Sequence, residues 1–337
     1  MEKIKVSILV PVYNVEKFIK RCVCSLFEQS YTNLEYVFVN DCTPDDSWKI
    51  LLEVIHHYPH VQKQVKLIQH ECNKGLAAAR KTALQHATGD YILNVDSDDY
   101  VAINMVERLA AEVLNQNADI VICDIYEITR KGKHYCHVCP SKIAKECLTR
   151  VLSGTLQAYL PNKLIRRDLY TKYRILPIPK IDMLEDVCVM YRLLYFAQTI
   201  AYVSEPLYYY DRSNQNSYSA VKMKLSYERG YIALIRQMDT FRLEHNIKER
   251  SIVDAFCFFK ARLLASILLY GSKNANLYLQ NKELFNEVKL YHFFRSPNFP
   301  LHFKLTGLFL HYNIKWGISL LRKLMTLSFR IYKRIRF

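Results

Sequence analysis

The stretch YILNVDSDDY, residues 91–100, places three acidic side chains directly behind an apolar run. The run has the length and the aromatic and β-branched content of a buried strand. Asp96, Asp98 and Asp99 follow at its carboxyl end, where their charges repel one another unless a cation joins them. The stretch therefore predicts a strand ending at a cation-binding turn, although Asp and Ser are also common in ordinary solvated turns.

Three further apolar runs precede this stretch, and a segment with helical periodicity follows each of them. The runs begin at Val6, Leu34 and Val65, and the intervening segments repeat their apolar residues at helical spacing. The last of these helices is predicted to be capped at its C-terminus by Gly89. Alternating strands and helices predict an α/β fold with a mostly parallel sheet flanked by helices.

Polar clusters follow three of the four predicted strands, at residues 11–14, 40–41 and 96–99. Parallel sheets bind ligands at the carboxyl ends of their strands, so the clusters should meet at one edge. The Asp96-x-Asp98 pair suits Mg²⁺ or Mn²⁺, because these ions prefer oxygen ligands and keep contacts to substrate phosphates. The pattern indicates a divalent ion shared with a diphosphate.

The overall charge points to an anionic partner. The chain has 337 residues and a net charge of +15, which favours a nucleotide, a nucleic acid or an anionic membrane surface. Since no recognisable nucleic-acid module is present, no nucleic-acid partner is predicted. No apolar run is long enough for a transmembrane helix. The ten cysteines and the lack of a secretory signal predict reduced thiols in a cytoplasmic protein.

A zinc site is not favoured. The segment HYCHVCP, residues 134–140, holds two cysteines and two histidines. A structural zinc site needs a second ligand pair at a defined spacing, and only the isolated Cys147 follows nearby. The segment is therefore not predicted to bind a metal.

Four motifs, in this order and with these gaps, resemble family 2 glycosyltransferases, the inverting sugar-nucleotide transferases of the GT-A fold. They are VPVYN (10–14), VNDCTPDDS (39–47), NKGLAAARKTAL (73–84) and GDYILNVDSDDY (89–100). The resemblance implies a GT-A (Rossmann-like) catalytic domain, a nucleotide-sugar donor and a divalent cation. The chain departs from the family pattern at Asn40, where an aspartate is usual, and at Cys42, where the turn must tolerate a Cβ in place of glycine.

The resemblance also implies roles for individual residues. Asp41 would face the base of the nucleotide, and Asp98, helped by Asp96, would hold Mn²⁺ or Mg²⁺ on the diphosphate. Arg80 remains open between a donor contact and a structural ion pair. The donor-binding residues implied are Pro11, Val12, Tyr13, Asn14, Asp41, Arg80, Asp96, Ser97 and Arg212.

An acidic pair is the candidate for acceptor activation. Glu185 and Asp186 begin a predicted helix, where the helix dipole alone would favour negative charge. Many family members carry such a pair before a helix, followed by a segment like EPLYYYDRS at residues 205–213. The resemblance therefore implies Asp186 as the catalytic base, with Glu185 as its neighbour or substitute. Arg212 would contact the donor diphosphate, or else be a surface arginine, and Lys163 would position the acceptor or brace the site.

The C-terminal segment carries much of the positive charge. Residues 288–337 contain ten Lys and Arg residues and no Asp or Glu. On a helical wheel of residues 316–337, Trp316, Leu320 and Leu324 fall on one apolar side and the basic residues mostly on the other. This pattern is typical of a helix in a membrane interface, although a helix packed on the catalytic domain would also show an apolar side.

Together these patterns predict a catalytic domain over residues 1–220 and a helical, basic region over residues 221–337. The expected function is inverting, metal-dependent transfer of a hexosyl or N-acetylhexosaminyl group. The donor is expected to be a UDP-sugar, and the acceptor a saccharide or lipid-linked saccharide of cell-surface polysaccharide synthesis. The protein would lie peripherally on the cytoplasmic face of the membrane. The alternative is a non-catalytic sugar-nucleotide-binding or scaffold subunit; a nucleotidyltransferase is disfavoured by the acidic pair and the tyrosine segment.

Overall fold

The computed structural model describes residues 4–214, 225–270, 276–294, 299–314 and 316–325. The chain divides into two compact units. The first comprises Met1–Leu148 and Leu156–Val221, and the second comprises Thr149–Thr155 and Lys222–Phe337.

The first unit is built on one sheet. Within the described residues its strands are β1 (Val6–Val12), β2 (Leu34–Asn40), β3 (Val65–Gln69), β4 (Tyr91–Asn94), β5 (Tyr100–Val101), β6 (Ile120–Thr129), β7 (Gly132–Cys136), β8 (Lys163–Arg166) and β9 (Ile200–Asp211). Their order is β3-β2-β1-β4-β8-β6-β9-β5, and β7 pairs with β6.

Helices connect these strands. They are α1 (Ile19–Phe27), α2 (Ser47–His57), α3 (Leu76–His86), α4 (Met105–Gln116), α5 (Ala144–Ser153), α6 (Arg167–Lys172) and α7 (Glu185–Phe196). In α1, Ile19, Cys22, Val23 and Leu26 are all buried, which is the face that its apolar period predicts.

The half of the sheet that contains β1 to β4 is wholly parallel. β1 pairs with β2 on one side and with β4 on the other, and β3 lies beyond β2. Every residue of β1 and β2 is buried, as expected for strands covered on both faces. The register places Val12 beside Asn40, so both strands end at the same edge of the sheet. The polar residues that follow each strand therefore lie at that edge. The α/β fold-class prediction is confirmed.

The other half of the sheet is mixed. β8 runs antiparallel between β4 and β6, and β5 pairs antiparallel with β9. These pairings were not predicted, because β5 and β8 are too short to show a period. The β5–β9 pairing places Tyr100 opposite Tyr209, which brings the tyrosine segment alongside the acidic turn.

The predicted capping role of Gly89 is wrong. α3 ends at His86, and its C-cap residue is Ala87. Gly89 instead lies against the start of β1, where its N–H donates to Ser7 Oγ over 2.8 Å. A Cβ at position 89 would lie 2.7 Å from the Ser7 nitrogen, so glycine is required by the close approach of two backbones.

The second unit is helical over its described residues. It contains α8 (Leu225–Glu244), α9 (Arg250–Tyr270), α10 (Asn276–Gln280), α11 (Leu290–Phe294), α12 (Leu301–His311) and a further helical segment at 316–325. α9 packs against α8, α10, α11 and α12. Its buried Lys260 pairs with Asp239 over 2.6 Å and with Glu287 over 3.4 Å, which compensates the buried charge.

The helical segment 316–325 exposes apolar side chains. Trp316 is 70% exposed, Leu320 47% and Leu324 51%, so these three residues of the predicted apolar side are not packed away. The remainder of the predicted basic helix, residues 326–337, lies outside the described residues. Among the helices that are described, none combines the length and the apolar character needed to cross a membrane.

Candidate active site

The acidic turn after β4 is anchored by its third carboxylate. Asp99 is fully buried and accepts hydrogen bonds from the Tyr208 hydroxyl over 2.5 Å and from the Asp211 N–H over 2.7 Å. The Tyr208 oxygen also accepts the Asp96 N–H over 3.2 Å. Burial, together with the neighbouring charge of Asp98, raises the pKa of Asp99 well above its usual range. Asp99 therefore holds the turn against β9, and Asp96 and Asp98 remain as ligand candidates.

Asp98 lies in a setting that favours a cation. Its Oδ2 accepts a hydrogen bond from Asn214 Nδ2 over 2.9 Å. Burial and the nearby charge of Asp96 raise the pKa of Asp98 to about 6. A divalent ion bound by Asp98 would favour the ionised form of this carboxylate.

The donor set at the turn fits Mg²⁺ or Mn²⁺. Within the described part of the chain, no group of three or more His, Cys, Asp or Glu side chains could hold a metal ion. These ions need only one or two protein carboxylates, because substrate phosphates and water complete their coordination. Asp96, whose side chain is 30% exposed, and Asp98 supply such a pair.

Arg80 links the acidic turn to the acidic pair at the start of α7. It projects from α3, and its side chain is only 4% exposed. One guanidinium nitrogen donates to Asp96 Oδ1 over 2.6 Å, and the other pairs with Glu185 Oε1. The two acidic elements therefore lie on either side of one buried cation.

Glu185 and Asp186 differ in their partners. Burial raises the pKa of Glu185 to about 8, although the Arg80 cation opposes this shift. Burial also raises the pKa of Asp186, and the charges of Arg80 and Lys163 oppose it. The Asp186 Oδ1 accepts the Val187 N–H over 2.7 Å. Because the Glu185 carboxyl group is already engaged by Arg80, Asp186 is the carboxyl group better able to act on a ligand.

Lys163, the first residue of β8, is the second cation of the site. Its side chain is almost fully buried, and Nζ donates to Asn162 Oδ1 over 2.8 Å and to the Tyr159 carbonyl oxygen. Burial lowers the pKa of Lys163 to about 8, and the charge of Asp186 opposes this change. The charges of Lys163 and Asp186 therefore favour each other's ionised forms.

Asp41 is held by the loop that follows β3. Its Oδ1 lies 2.7 Å from His70 Nδ1 and accepts the Lys74 N–H over 2.9 Å, while Oδ2 accepts the Gly75 N–H over 2.8 Å. The carboxylate thus fixes the loop that leads into α3. A nucleotide base that approached Asp41 would therefore meet a carboxylate that already has three hydrogen-bond partners in the protein.

A second carboxylate completes this loop. Asp182 Oδ1 accepts the Ala77 N–H in the first turn of α3 over 3.1 Å. Gly75 has φ +90°, and a Cβ on it would lie 2.6 Å from Asp182 Oδ1. The positive φ favours glycine at this position, and a larger residue would in addition displace the Asp182 carboxylate.

Residues 11–14 were predicted to contribute to the donor site, and the last two of them lie beyond the end of β1. Pro11 and Val12 are buried within β1, whereas Tyr13 is 43% exposed. Asn14 has φ +55° and its N–H donates to Thr43 Oγ1 over 2.8 Å. Cys42 has φ +56°, so a cysteine occupies the left-handed conformation that glycine usually supplies.

Ser97 and Arg212, the remaining residues predicted to bind the donor, differ in their surroundings. Ser97 is buried within the acidic turn. Arg212 is more than half exposed, and its side chain pairs with Glu127 over 3.1 Å, while its N–H donates to the Ile128 carbonyl oxygen. The structure thus places Arg212 beside the end of β6 and Ser97 between the two predicted metal ligands.

Several residues of the site were not singled out from the sequence. They are Arg21, which donates to the Asp98 carbonyl oxygen over 3.1 Å, and His70, Asp182 and Asn214. His70 had a usable signal, because it directly follows β3 at the same sheet edge. Asp182 and Asn214 had none, since they reach the site through long-range contacts.

Comparisons with known proteins agree on one family. Residues 7–174 match the model of Glycosyl transferase family 2. The chain is 34% identical over 228 residues to the uncharacterized glycosyltransferase EpsJ of Bacillus subtilis (strain 168), covering 65% of this chain and 64% of EpsJ. It is 30% identical over 265 residues to the putative glycosyltransferase EpsH of the same strain, covering 76% of this chain and 75% of EpsH. The chain thus spans just under two thirds of EpsJ and three quarters of EpsH.

A solved structure has the same fold. Residues 1–349 of Staphylococcus aureus TarS superpose with a TM-score of 0.69 at 20% identity, covering 97% of this chain and 91% of that one. A TarS structure in complex with UDP-GlcNAc superposes with a TM-score of 0.66 at 21% identity. At these identities the likeness concerns the fold, and it confirms the predicted GT-A-like architecture.

Proposed function

The chain belongs to glycosyl transferase family 2, and we propose that it is an inverting, metal-dependent glycosyltransferase. The donor is a UDP-sugar, and the acceptor is a saccharide or lipid-linked saccharide of cell-surface polysaccharide synthesis. The carrying observation is the bridge that Arg80 makes between Asp96 and Glu185. This bridge supports a site in which the predicted metal ligands and the predicted base act on one substrate.

The first donor to test is UDP-N-acetylglucosamine. TarS is named a poly(ribitol-phosphate) β-N-acetylglucosaminyltransferase, and its structure has been determined with UDP-GlcNAc. Transfer of this donor preference to the present chain rests on shared fold and family. Tyr13, exposed at the edge where β1 ends, offers an aromatic ring to a nucleotide base.

The residues of the site support direct displacement. Asp186 takes the proton from an acceptor hydroxyl, whose oxygen attacks the anomeric carbon while the bond to the donor diphosphate breaks. Attack opposite the leaving group inverts the configuration. Arg80 fixes Asp96 and Glu185, and Lys163 favours the ionised form of Asp186. A divalent ion held by Asp96 and Asp98 would supply Lewis-acid stabilisation of the departing diphosphate.

We also propose that the second unit places the enzyme on the cytoplasmic face of a membrane. Trp316, Leu320 and Leu324 are exposed on the helical segment 316–325, and residues 288–337 carry no acidic side chain. Exposed apolar and basic residues together fit an anionic lipid surface. A membrane location suits a lipid-linked acceptor.

A donor screen tests the proposal. Purified protein with Mn²⁺ is incubated with each common sugar nucleotide, and release of nucleoside diphosphate is measured with and without saccharide acceptors. We expect release from one UDP-sugar, and we expect the transfer rate to fall at least about 10²-fold in Asp186→Asn, the loss typical of a missing general base.

The exposed Asp168 of α6 provides the matched control. Asp168→Asn should retain the wild-type rate. An unchanged transfer rate in Asp186→Asn would reject Asp186 as the base, and donor binding without turnover by any sugar nucleotide would favour the non-catalytic alternative.

A further inference from the structure

A row of four tyrosine rings crosses the sheet beside the acidic turn. The strand registers place Tyr100 opposite Tyr209, Tyr209 opposite Tyr126, and Tyr126 opposite Tyr135. Successive ring centroids lie 4.5, 5.4 and 5.5 Å apart. The strand neighbour Tyr208 belongs to the hydrophobic core, so the row occupies the opposite face of the sheet. These four residues are called the tyrosine row below.

The tyrosine row begins at the predicted metal site. Arg21 donates a hydrogen bond to the Asp98 carbonyl oxygen over 3.1 Å and pairs with Asp211 over 2.6 Å. The Arg21 guanidinium also lies 4.3 Å from the centroid of the Tyr100 ring. A continuous set of contacts therefore leads from the acidic turn along the row to Tyr135.

The geometry of the rings leaves their hydroxyl ends available. Tyr100 and Tyr209 stack at an interplanar angle of 10°, and Tyr209 and Tyr126 at 30°. The ring faces cover one another, so the hydroxyl-bearing edges point away from the sheet. Tyr135 donates its hydroxyl to Asp124 over 2.8 Å. Within the described ranges, the hydroxyls of Tyr100, Tyr126 and Tyr209 have no hydrogen-bond partner.

A lysine adds a charge to this surface. The exposed Lys133 places its ammonium 5.1 Å from the Tyr209 ring centroid and 5.9 Å from that of Tyr126. The row therefore presents phenolic hydroxyls, a guanidinium and an ammonium along one line, between apolar ring edges. Its spacing follows the separation of adjacent strands, about 4.8 Å, which is comparable to the length of one pyranose unit in an extended saccharide.

We propose that the tyrosine row binds the sugar units of the acceptor chain that lie beyond the hydroxyl receiving the transferred sugar. The inference rests on the proposed transferase function. A saccharide carries hydroxyl groups at regular intervals beside apolar C–H edges, which matches the alternation of phenol oxygens and ring edges. A solely structural row needs only the rings, because cross-strand aromatic pairs stabilise a sheet through packing.

Removal of the hydroxyls alone tests this proposal. The triple variant Tyr100→Phe, Tyr126→Phe, Tyr209→Phe keeps every ring and its stacking partner. The control is Tyr173→Phe, since the half-buried Tyr173 stacks on Phe196 with centroids 3.7 Å apart. Binding is first screened on an array of neutral and uronic-acid-containing oligosaccharides, from disaccharides to octasaccharides. The affinity of each oligosaccharide that binds on the array is then measured by calorimetry.

We expect wild-type protein and Tyr173→Phe to bind at least one oligosaccharide, with affinity increasing with chain length. The triple variant should bind it at least about ten-fold more weakly, the effect of losing a few hydrogen bonds, with unchanged thermal unfolding and UDP-sugar binding. Unchanged oligosaccharide affinity in the triple variant, or no binding across the array, would overturn the proposal.

The outcome separates this inference from the proposed function. Intact UDP-sugar turnover with unchanged oligosaccharide binding would reject only the tyrosine row. Oligosaccharide binding that depends on the row, in a protein that binds no sugar nucleotide, would retain the saccharide surface and reject the transferase.

Discussion

Arg80 donates a hydrogen bond to Asp96 Oδ1 over 2.6 Å, and the same guanidinium pairs with Glu185. Asp96 belongs to the turn after β4, whereas Glu185 begins α7, 105 residues beyond Arg80. We therefore assign Arg80 as a positioning residue that sets the distance between the predicted metal ligands and the acidic pair containing the predicted base. Its buried charge is compensated by the partly exposed Asp96 and the buried Glu185.

Replacement of Arg80 by lysine should reduce activity more than stability. Lysine keeps the charge, but a single ammonium cannot reproduce the planar fork that holds both carboxylates. We expect kcat of Arg80→Lys to fall by about 10²-fold, since small misplacements of catalytic groups have effects of this size. The measurement is steady-state turnover of the donor identified in the screen.

Arg108→Lys is the control for this substitution, because Arg108 makes a similar forked pair with Glu205 at the surface. Exposed pairs contribute little to stability, so this variant should match the wild type in both turnover and unfolding. Wild-type kcat in Arg80→Lys would show that the bridge does not position the catalytic groups.

Lys163 should govern the pH dependence of the reaction. Its positive charge lowers the pKa of Asp186, which burial otherwise raises. A base acts only when deprotonated, so activity rises with pH through the pKa of Asp186. Lys163→Met removes the charge and raises that pKa further, so the acidic limb of the kcat/KM profile should move to higher pH.

The exposed Lys172 of α6 allows a control, Lys172→Met, whose pH profile should coincide with that of the wild type. A lower rate for Lys163→Met with an acidic limb at the wild-type pH would mean that Lys163 only braces the site.

The parallel half of the sheet could be predicted because its signals are local. β1 and β2 are predominantly apolar runs, and the carboxyl-edge rule then brings Asp41 and Asp96 to one side. The encounter of Arg80 with Glu185 could not be predicted, since no period or motif encodes a contact between residues so far apart. The contact of Asp182 with the loop at Gly75 could not be predicted either, because Asp182 belongs to no local sequence pattern.

The sheet also contains a stability determinant that the sequence analysis did not identify. Glu35 on β2 accepts hydrogen bonds from Ser7 Oγ and from the Thr88 N–H, both over 2.6 Å, and pairs with Lys66 over 2.8 Å. Burial opposes the ionised form of Glu35, but these hydrogen bonds outweigh it and lower the pKa to about 2.

Glu35→Gln should reduce the free energy of unfolding by about 2 kcal/mol at pH 7, the scale of a hydrogen bond to a charged group. The folded-state pKa lies below the unfolded value of about 4.3. The wild type therefore loses this stabilisation as pH falls from about 4.3 towards 2, and the difference between the two proteins should shrink. Denaturant unfolding at pH 7 and pH 3 measures it.

Glu53→Gln, at an exposed position of α2, should unfold like the wild type at both pH values. A difference between wild type and Glu35→Gln that stays constant with pH would contradict the assignment of the low pKa to Glu35.

The proposed membrane contact can be tested independently of catalysis. We consider the triple serine variant Trp316→Ser, Leu320→Ser, Leu324→Ser. Its retention on sedimented vesicles of phosphatidylglycerol and phosphatidylcholine should decrease by about ten-fold or more, because three exposed apolar side chains no longer enter the membrane interface. Turnover with a soluble acceptor should not change. The control is Leu243→Ser, at a side chain that is 81% exposed on α8.

Equal retention of the triple serine variant and the wild type would reject the helical segment 316–325 as a membrane contact. Loss of retention in Leu243→Ser as well would indicate nonspecific adsorption through exposed apolar residues.

The most direct test of the proposed function is the Mn²⁺ dependence of UDP binding, measured by calorimetry in the wild type and in Asp98→Asn. Asp98 has a pKa raised to about 6 by burial and by Asp96, and a bound divalent ion would favour its ionised form. The proposed function predicts that Mn²⁺ strengthens UDP binding to the wild type at least about ten-fold, and that Asp98→Asn abolishes this effect while Asp168→Asn preserves it. Wild-type protein that binds UDP equally well with Mn²⁺ and with EDTA would contradict it.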